Sequence, residues 1–579
     1  GKGTISGNTV YGDAHDLCAQ FVSNGQLLIT GNRFLGKGGR DVKGSQIDFT
    51  EPNASGSIVF QNNTVEPFAA ATPSGSAHVR SLMVKNNTSG AAVSILNNLF
   101  TNVQAVAVLA GNSKNTTVCG NEFRAADGDA DFSYVQIGNK VMTGASPAPV
   151  QMNAVIQDNV FRASTVPGGR AIEFLNHNAT GATFGTITVG GTGALANTFA
   201  SGLDRFIHLD DEVQADSKSS ARPTYSVCGS TVMAPFNVAI DVTQNLFDVG
   251  AGAQSPAAMA IADLFALENK INHATDVATL GLVRVKAANV YVTTASGSIQ
   301  RGVDAATAGD TVYVGPGEFD GKVTLNKTIT LLSANGATAT TIKNTAATTL
   351  GTVQLANGVT GVQVGDVGHG FTILGIDSAS AGLEVAAIYM QGSTGTKVIG
   401  NTIVAAGDYG LLTDASAIAG LVVTDNEFAG QTFIGPNPAG SGFGQQFTLW
   451  NAPRQLVVVQ GTTGPITFVR NTISGTAGGL NIDGLPQGNT LVTLDTAGAL
   501  IQDNVFSGVS TRYATALRIG GTKTTVSGNE FQGHTPGGLY VRSAAAATAQ
   551  VNGNSFVGFT AAGATAIENG GTAMLNAQN

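Results

Sequence analysis

Apolar residues along this chain fall in short alternating runs rather than long helical stripes. A recurring unit, asparagine followed two positions later by Phe, Ile or Val, punctuates them. In the first half it stands at Asn8, Asn32, Asn63, Asn98, Asn121, Asn159, Asn197 and Asn245; in the second at Asn401, Asn426, Asn471, Asn504, Asn529 and Asn554. The spacing is 25 residues from Asn401 to Asn426 and from Asn504 to Asn529, and 24 from Asn8 to Asn32. Wider gaps, 38 residues from Asn121 to Asn159 and 45 from Asn426 to Asn471, are expected to hold a longer loop or an unmarked repeat. A repeat of this length holds three short strands and their turns. Stacking such repeats in parallel puts inward apolar side chains in columns. The bend before each inward Phe or Ile needs positive φ, which asparagine tolerates best after glycine, and stacked amides can bond along the column. A leucine-rich repeat would demand Leu at fixed offsets, and a propeller would show blades of about 40 residues.

The pattern breaks between residues 200 and 290. Arg205–Leu209 reads as one more strand, and Ser255-Pro256 opens an expected helix to Ala274 with Ile261, Leu264, Phe265, Leu267 and Ile271 apolar. From Asn289 to Gly336 the chain reads as strand, short helix, then strands in quick succession. Ser298 is the expected N-cap, with Ile299, Val303 and Ala306 on one face and Gly309 as C′ residue.

Ser298-Ile299-Gln300, Val303-Asp304-Ala305-Ala306, Gly309-Asp310-Thr311-Val312 and Lys327-Thr328-Ile329-Thr330-Leu331 resemble right-handed parallel β-helix proteins of the pectin-lyase-like superfamily. There this block opens a solenoid whose end the helix plugs, so the resemblance implies a second solenoid starting near residue 290. The expected fold is all-β: two right-handed parallel β-helices in tandem with short capping and junction helices. The expected boundaries are 1–254, a helical junction at 255–288, and 289–579 with its opening block at 289–336. Residues 260–335 also look like segments of large haemagglutinin-like bacterial exoproteins, which implies adhesion or self-association. The first residues are already repeat-like and the last six look like the start of another coil, so the chain is expected to be part of a longer one.

Composition narrows the function. Charged residues make up 12% of 579, with 76 glycines, and 42% of residues are hydrophobic. This suits a folded strand-and-turn protein and not a disordered one. The net charge of −9 argues against nucleic acid, and no apolar run is long enough for membrane insertion. Cys18, Cys119 and Cys228 are too few and too scattered for a disulfide framework.

Candidate chemistry is sparse. Asp127, Asp129 and Asp131 have the alternate spacing of a calcium loop's first half, but lack its glycine and final glutamate; a solvated loop is the preferred reading, with calcium as the alternative. No other cofactor is expected. Asp210, Asp211 and Asp216 form a second, weaker acidic group, while His177, His208 and His273 have no zinc spacing. Asp158, Asp425 and Asp503 precede the marker asparagines and read as turn residues, and Gly368-His369-Gly370 reads as the lead into a strand. Arg512, Arg518 and Lys523 are the basic cluster of the second half, with no acidic partner expected one coil away. Sugar platforms are few: Trp450 and nine tyrosines. The expectation is a non-enzymatic bacterial cell-surface or secreted structural protein, such as an adhesin stalk, surface-layer, sheath or filament subunit. Its expected partners are itself, neighbouring repeats or surface glycans, with contacts through the segments 127–148 and 431–446. The alternatives are a polysaccharide lyase or hydrolase and a tailspike-like carbohydrate-binding module.

Overall fold

The computed structural model describes residues 1–578 apart from 13–16, 21–24, 37–43, 51–55, 67–78, 104–105, 126–131, 139–148, 164–167, 177–182, 211–234, 346–349, 376–385, 406–408, 414–417, 431–454, 460–463, 475–489, 508–514, 533–536, 543–547, 561–562 and 571–575. The chain divides into two compact units, Gly1–Ala287 and Ala288–Asn579. Of the segment 255–288, expected as a junction, residues 255–287 belong to the first unit and Ala288 to the second.

Each unit is a parallel β-helix. Successive coils contribute one strand to each of three sheets, so a strand's neighbours come from the coils before and after it. In unit 1 the first sheet runs from Lys2–Ser6 through Gln26–Thr30 and Ser57–Gln61 to Thr183–Val189. The second runs from Thr9–Gly12 through Arg33–Gly36 to Leu246–Asp248, and the third from Leu17–Gln20 through Gly44–Thr50 to Ile271–Asn272. Among the described residues, unit 2 repeats the plan with sheets of 11, 9 and 9 strands. The pairings within these three sheets are parallel except Leu246–Asp248 with Ala253–Gln254.

The marker asparagines sit at the corner between first and second strands. Asn98 Nδ2 donates to Asn121 Oδ1 at 2.9 Å, Asn121 to Asn159 at 3.0 Å and Asn159 to Asn197 at 2.9 Å. The ladder runs unbroken from Asn8 to Asn245 and, in unit 2, from Asn401 to Asn554. Each of the wide gaps therefore holds longer loops within one coil, since Asn426 bonds Asn471 directly. The positive φ expected of these asparagines falls one residue earlier: on Gly31, Asn62, Asn97, Gly120 and Asp158 in unit 1, and Asp425, Arg470 and Asp503 in unit 2. The left-handed residue makes the bend, which frees the next side chain to turn inward and bond.

Behind the ladder, inward residues stack. Phe100, Phe123, Phe161, Phe199 and Phe247 are fully buried, with ring centroids 4.8–5.3 Å apart. Phe506 and Phe531, both buried, and the half-buried Phe556 stack likewise in unit 2 at 4.8 Å with nearly parallel planes. Offset stacking of parallel rings adds to the burial gain.

The last coil of unit 1 carries α1, Ile261–Glu268, shorter than the helix expected from Ser255 to Ala274. Ser255 and Pro256 instead start a turn closed by the Ala258 N–H on the Ser255 carbonyl, and Ala260 is extended, so helix begins only at Ile261. In unit 2, α2 spans Ile299–Ala305, and Ser298 caps it by accepting the Arg301 N–H. Gly302 lets α2 lie against Val292, because a Cβ there would stand 2.3 Å from Val292 Cγ2. Gly309 is not the C′ residue: the cap is Ala306, and Gly309, at φ 94°, donates its N–H to Thr328 in the next turn. Gly317 opens the strand Gly317–Asp320.

Candidate ligand-binding face

Connection lengths single out one face in each unit. The corner between first and second strands is two residues in most coils, as at Gly31-Asn32 and Asp425-Asn426, because the ladder fixes it. The connections into and out of the third sheet vary freely. In unit 2 the chain passes through segment 431–454 between Glu427–Gly430 and Gln455–Val459, and through 475–489 between Thr472–Ser474 and Thr490–Leu494. Variable connections carry recognition more often than fixed turns do.

In unit 1, outward third-sheet positions of successive coils are Asp48, Met83, Leu109, Gln136, Glu173 and His208, all buried. Asp48 pairs with Lys85 at 2.7 Å. Glu173 accepts Ser133 Oγ at 2.7 Å and Gln136 Nε2 at 2.8 Å, with Arg170 at 3.9 Å. Burial alone would push the Glu173 carboxyl up; Arg170, His208 and the two donors outweigh it and hold it below its usual value. A carboxylate so fully engaged is a structural anchor.

In unit 2 the corresponding outward positions among the described side chains are Gln354, Tyr389, Leu412, Thr493, Arg518, Tyr540 and Glu568. The early part is apolar: Tyr389 and Leu412 pack with Ala386, Leu350 and Tyr409. The later part is charged, with Arg518, Arg542 and Asp495 together and Glu568 opposite Tyr540. Arg518 Nη2 donates to Asp495 Oδ2 at 3.0 Å, and Arg542 Nη1 donates to the same oxygen at 2.9 Å. Gly520 makes this possible: it lies in the coil between Asp495 and Arg542, and a Cβ there would stand 2.2 Å from Asp495 Oδ1. This corrects the expectation that Arg518 has no acid one coil away. Asp495 lies two residues past Thr493, the cross-strand partner of Arg518, and so on the same face.

The other sequence candidates are not gathered on these faces. Asp127, Asp129, Asp131, Asp211, Asp216, His177, Arg512 and Trp450 lie outside the described residues, as does most of 127–148 and all of 431–446. Asp210 is buried, and its N–H donates to the Phe174 carbonyl. Lys523 sits in a turn at φ 58°. His369 donates from Nδ1 to the Ser333 carbonyl at 3.0 Å, in the turn before Thr372–Leu374. His273 is buried in the last coil of unit 1: its Nδ1 accepts the Val283 N–H, so the ring proton sits on Nε2 and is donated to Glu268 Oε1 at 2.7 Å. Among the described residues no group of three or more His, Cys, Asp or Glu is placed to hold a metal, and no helix is long and apolar enough to cross a membrane. Sequence reasoning missed the Asp495 cluster because its members lie in three coils.

No family model and no curated protein matches the chain. Among solved structures, carrot pectin methylesterase is 14% identical at a TM-score of 0.31, over 48% of this chain and 87% of its own. The Dettilon tailspike protein is 12% identical at 0.28, over 49% and 60% respectively. A PL6 family alginate lyase is 11% identical at 0.22, over 96% and 95%. At these values the likenesses add no argument about activity, and the architecture rests on the ladders themselves. By its three parallel sheets per unit and its unbroken asparagine corners, the chain is a parallel β-helix protein.

Proposed function

We propose that this is a non-catalytic bacterial cell-surface or secreted protein that works by adhesion, holding surface glycans, or neighbouring copies and repeats, along its third-sheet faces. The observation that carries this reading is the division of labour between corners. One corner is fixed by the asparagine ladder, while the free-length connections gather at the borders of a face with mixed aromatic and charged residues. Within each unit, a solenoid with one variable face offers an extended surface for such contacts.

A second reading, a polysaccharide-acting enzyme, is favoured by one observation: Asp495, Arg518 and Arg542 gather on the same face as Tyr540. A single assay separates the two. The purified chain is passed over immobilised acidic and neutral polysaccharides, and the eluate is examined for new reducing or unsaturated ends. Retention without new ends supports adhesion. Release of oligosaccharides overturns it in favour of the enzyme.

A further inference from the structure

The geometry points to an anion subsite on the third-sheet face of unit 2, built by Arg518, Arg542 and Thr493 around Asp495, that takes the carboxylate of an acidic ring sugar. It rests on the proposal that this face is the recognition face. Two guanidinium groups share one carboxylate, so these three residues carry one positive charge; Glu568 lies one coil on, opposite Tyr540, and no ion pair ties it to either arginine among the described residues. The cluster is also not satisfied by itself. Among the described residues Arg518 Nε, Asp495 Oδ1 and the Thr493 hydroxyl are buried without a hydrogen-bond partner, and Thr493 is only 6% exposed. Buried polar groups are rarely left unpaired, and such orphans together mark a site completed by something else.

The guanidinium groups are nevertheless reachable: the Arg518 side chain is 29% exposed and that of Arg542 49%. The planar fork of an arginine matches a carboxylate. One surplus positive charge suits a monoanion better than a phosphate dianion. Tyr540, the cross-strand neighbour of Arg518, is half-buried and leans over Gly570, where a Cβ would stand 2.5 Å from its hydroxyl. Its ring gives a sugar an apolar surface beside the charge. Gly520 holds the assembly together, since any side chain there separates Asp495 from Arg542.

The test is titration of the full chain with glucuronate, acetate and glucose, followed by ligand-detected NMR. Glucuronate is expected to bind, acetate to compete with it, and glucose to do neither. Arg542→Gln and Arg518→Gln should each weaken glucuronate by about tenfold, as expected for loss of one charge-assisted contact. Gly520→Ala should weaken it with both arginines present, and Arg124→Gln, on the second sheet of unit 1, should leave it unchanged. Equal binding of glucuronate and glucose, or binding indifferent to both arginine variants, overturns the subsite. If polysaccharide is still retained by the double arginine variant, the subsite fails and the adhesive reading stands. If wild type retains no polysaccharide, adhesion to glycans fails with the subsite, and only contact between copies or repeats is left of the adhesive reading.

Discussion

Asn529 donates twice to one atom of the next coil: its Nδ2 reaches Asn554 Oδ1 at 2.9 Å and its backbone N–H reaches the same oxygen at 3.0 Å. The side chain also donates to the Ile501 and Ser527 carbonyls, and its Oδ1 accepts both donors of Asn504. Every donor and acceptor of the amide is used, in a site closed to water. Asparagine alone offers this set at this length: aspartate cannot donate, and glutamine is one carbon too long.

Asn529→Ala therefore strands the Asn504 N–H and the Ile501 carbonyl, and should destabilise unit 2 by roughly 2–4 kcal/mol. Asn529→Asp should be at least as damaging, because it turns an acceptor toward two carbonyls. Denaturant titration of the full chain followed by circular dichroism checks both. A change below about 0.5 kcal/mol would mean that the ladder is incidental.

Phe531 lies flat between Phe506 and Phe556. Phe531→Leu should cost about 1–2 kcal/mol and Phe531→Ala about 3–5, since the alanine leaves a cavity that neighbouring coils cannot close. The same titration reads the graded loss.

Glu268 is buried with His273 and Thr275 in the last coil of unit 1. His273→Ala leaves that carboxylate without its main partner and should destabilise unit 1 by roughly 3 kcal/mol. Combining it with Glu268→Gln should recover part of the loss. Failure of the double variant to recover would show that packing, not pairing, is what His273 supplies.

At the corner of unit 2, Arg470 donates through Nε and Nη2 to the two Asp425 oxygens, each at 2.7 Å. These bonds, with the Thr424 hydroxyl, hold the Asp425 carboxyl below its usual value despite some burial. A lowered folded-state value means that the stabilisation is complete above the unfolded value near 3.9 and is lost as pH falls through the folded one. Melting temperatures from pH 6 to pH 2 should show wild type above Asp425→Asn at pH 6, with the two converging in acid. Parallel curves would contradict the assignment.

The winding is well marked in the sequence. A repeating asparagine with an apolar residue two positions on survives any loop length, so the ladder of Asn98, Asn121 and Asn159 can be traced along the chain from residue types alone. Three local readings failed for physical reasons: the bend belongs to the residue before each asparagine, Pro256 starts a turn in place of a helix, and α2 ends at Ala306 rather than against Gly309. The candidate face was hidden. Thr493, Arg518 and Tyr540 are neighbours because their strands pair, and connections of unequal length remove any constant spacing between them. Asp495 meets Arg542 across a glycine one coil away, a relation no linear pattern carries.

The most direct test of the account is amide hydrogen exchange of the full chain with and without a polysaccharide it retains. Added protection is predicted in the third strands and their borders, above all Thr490–Leu494, Thr515–Ile519 and Gly537–Val541. Protection confined to the first or second sheet would contradict the claim that the variable face is the one that binds.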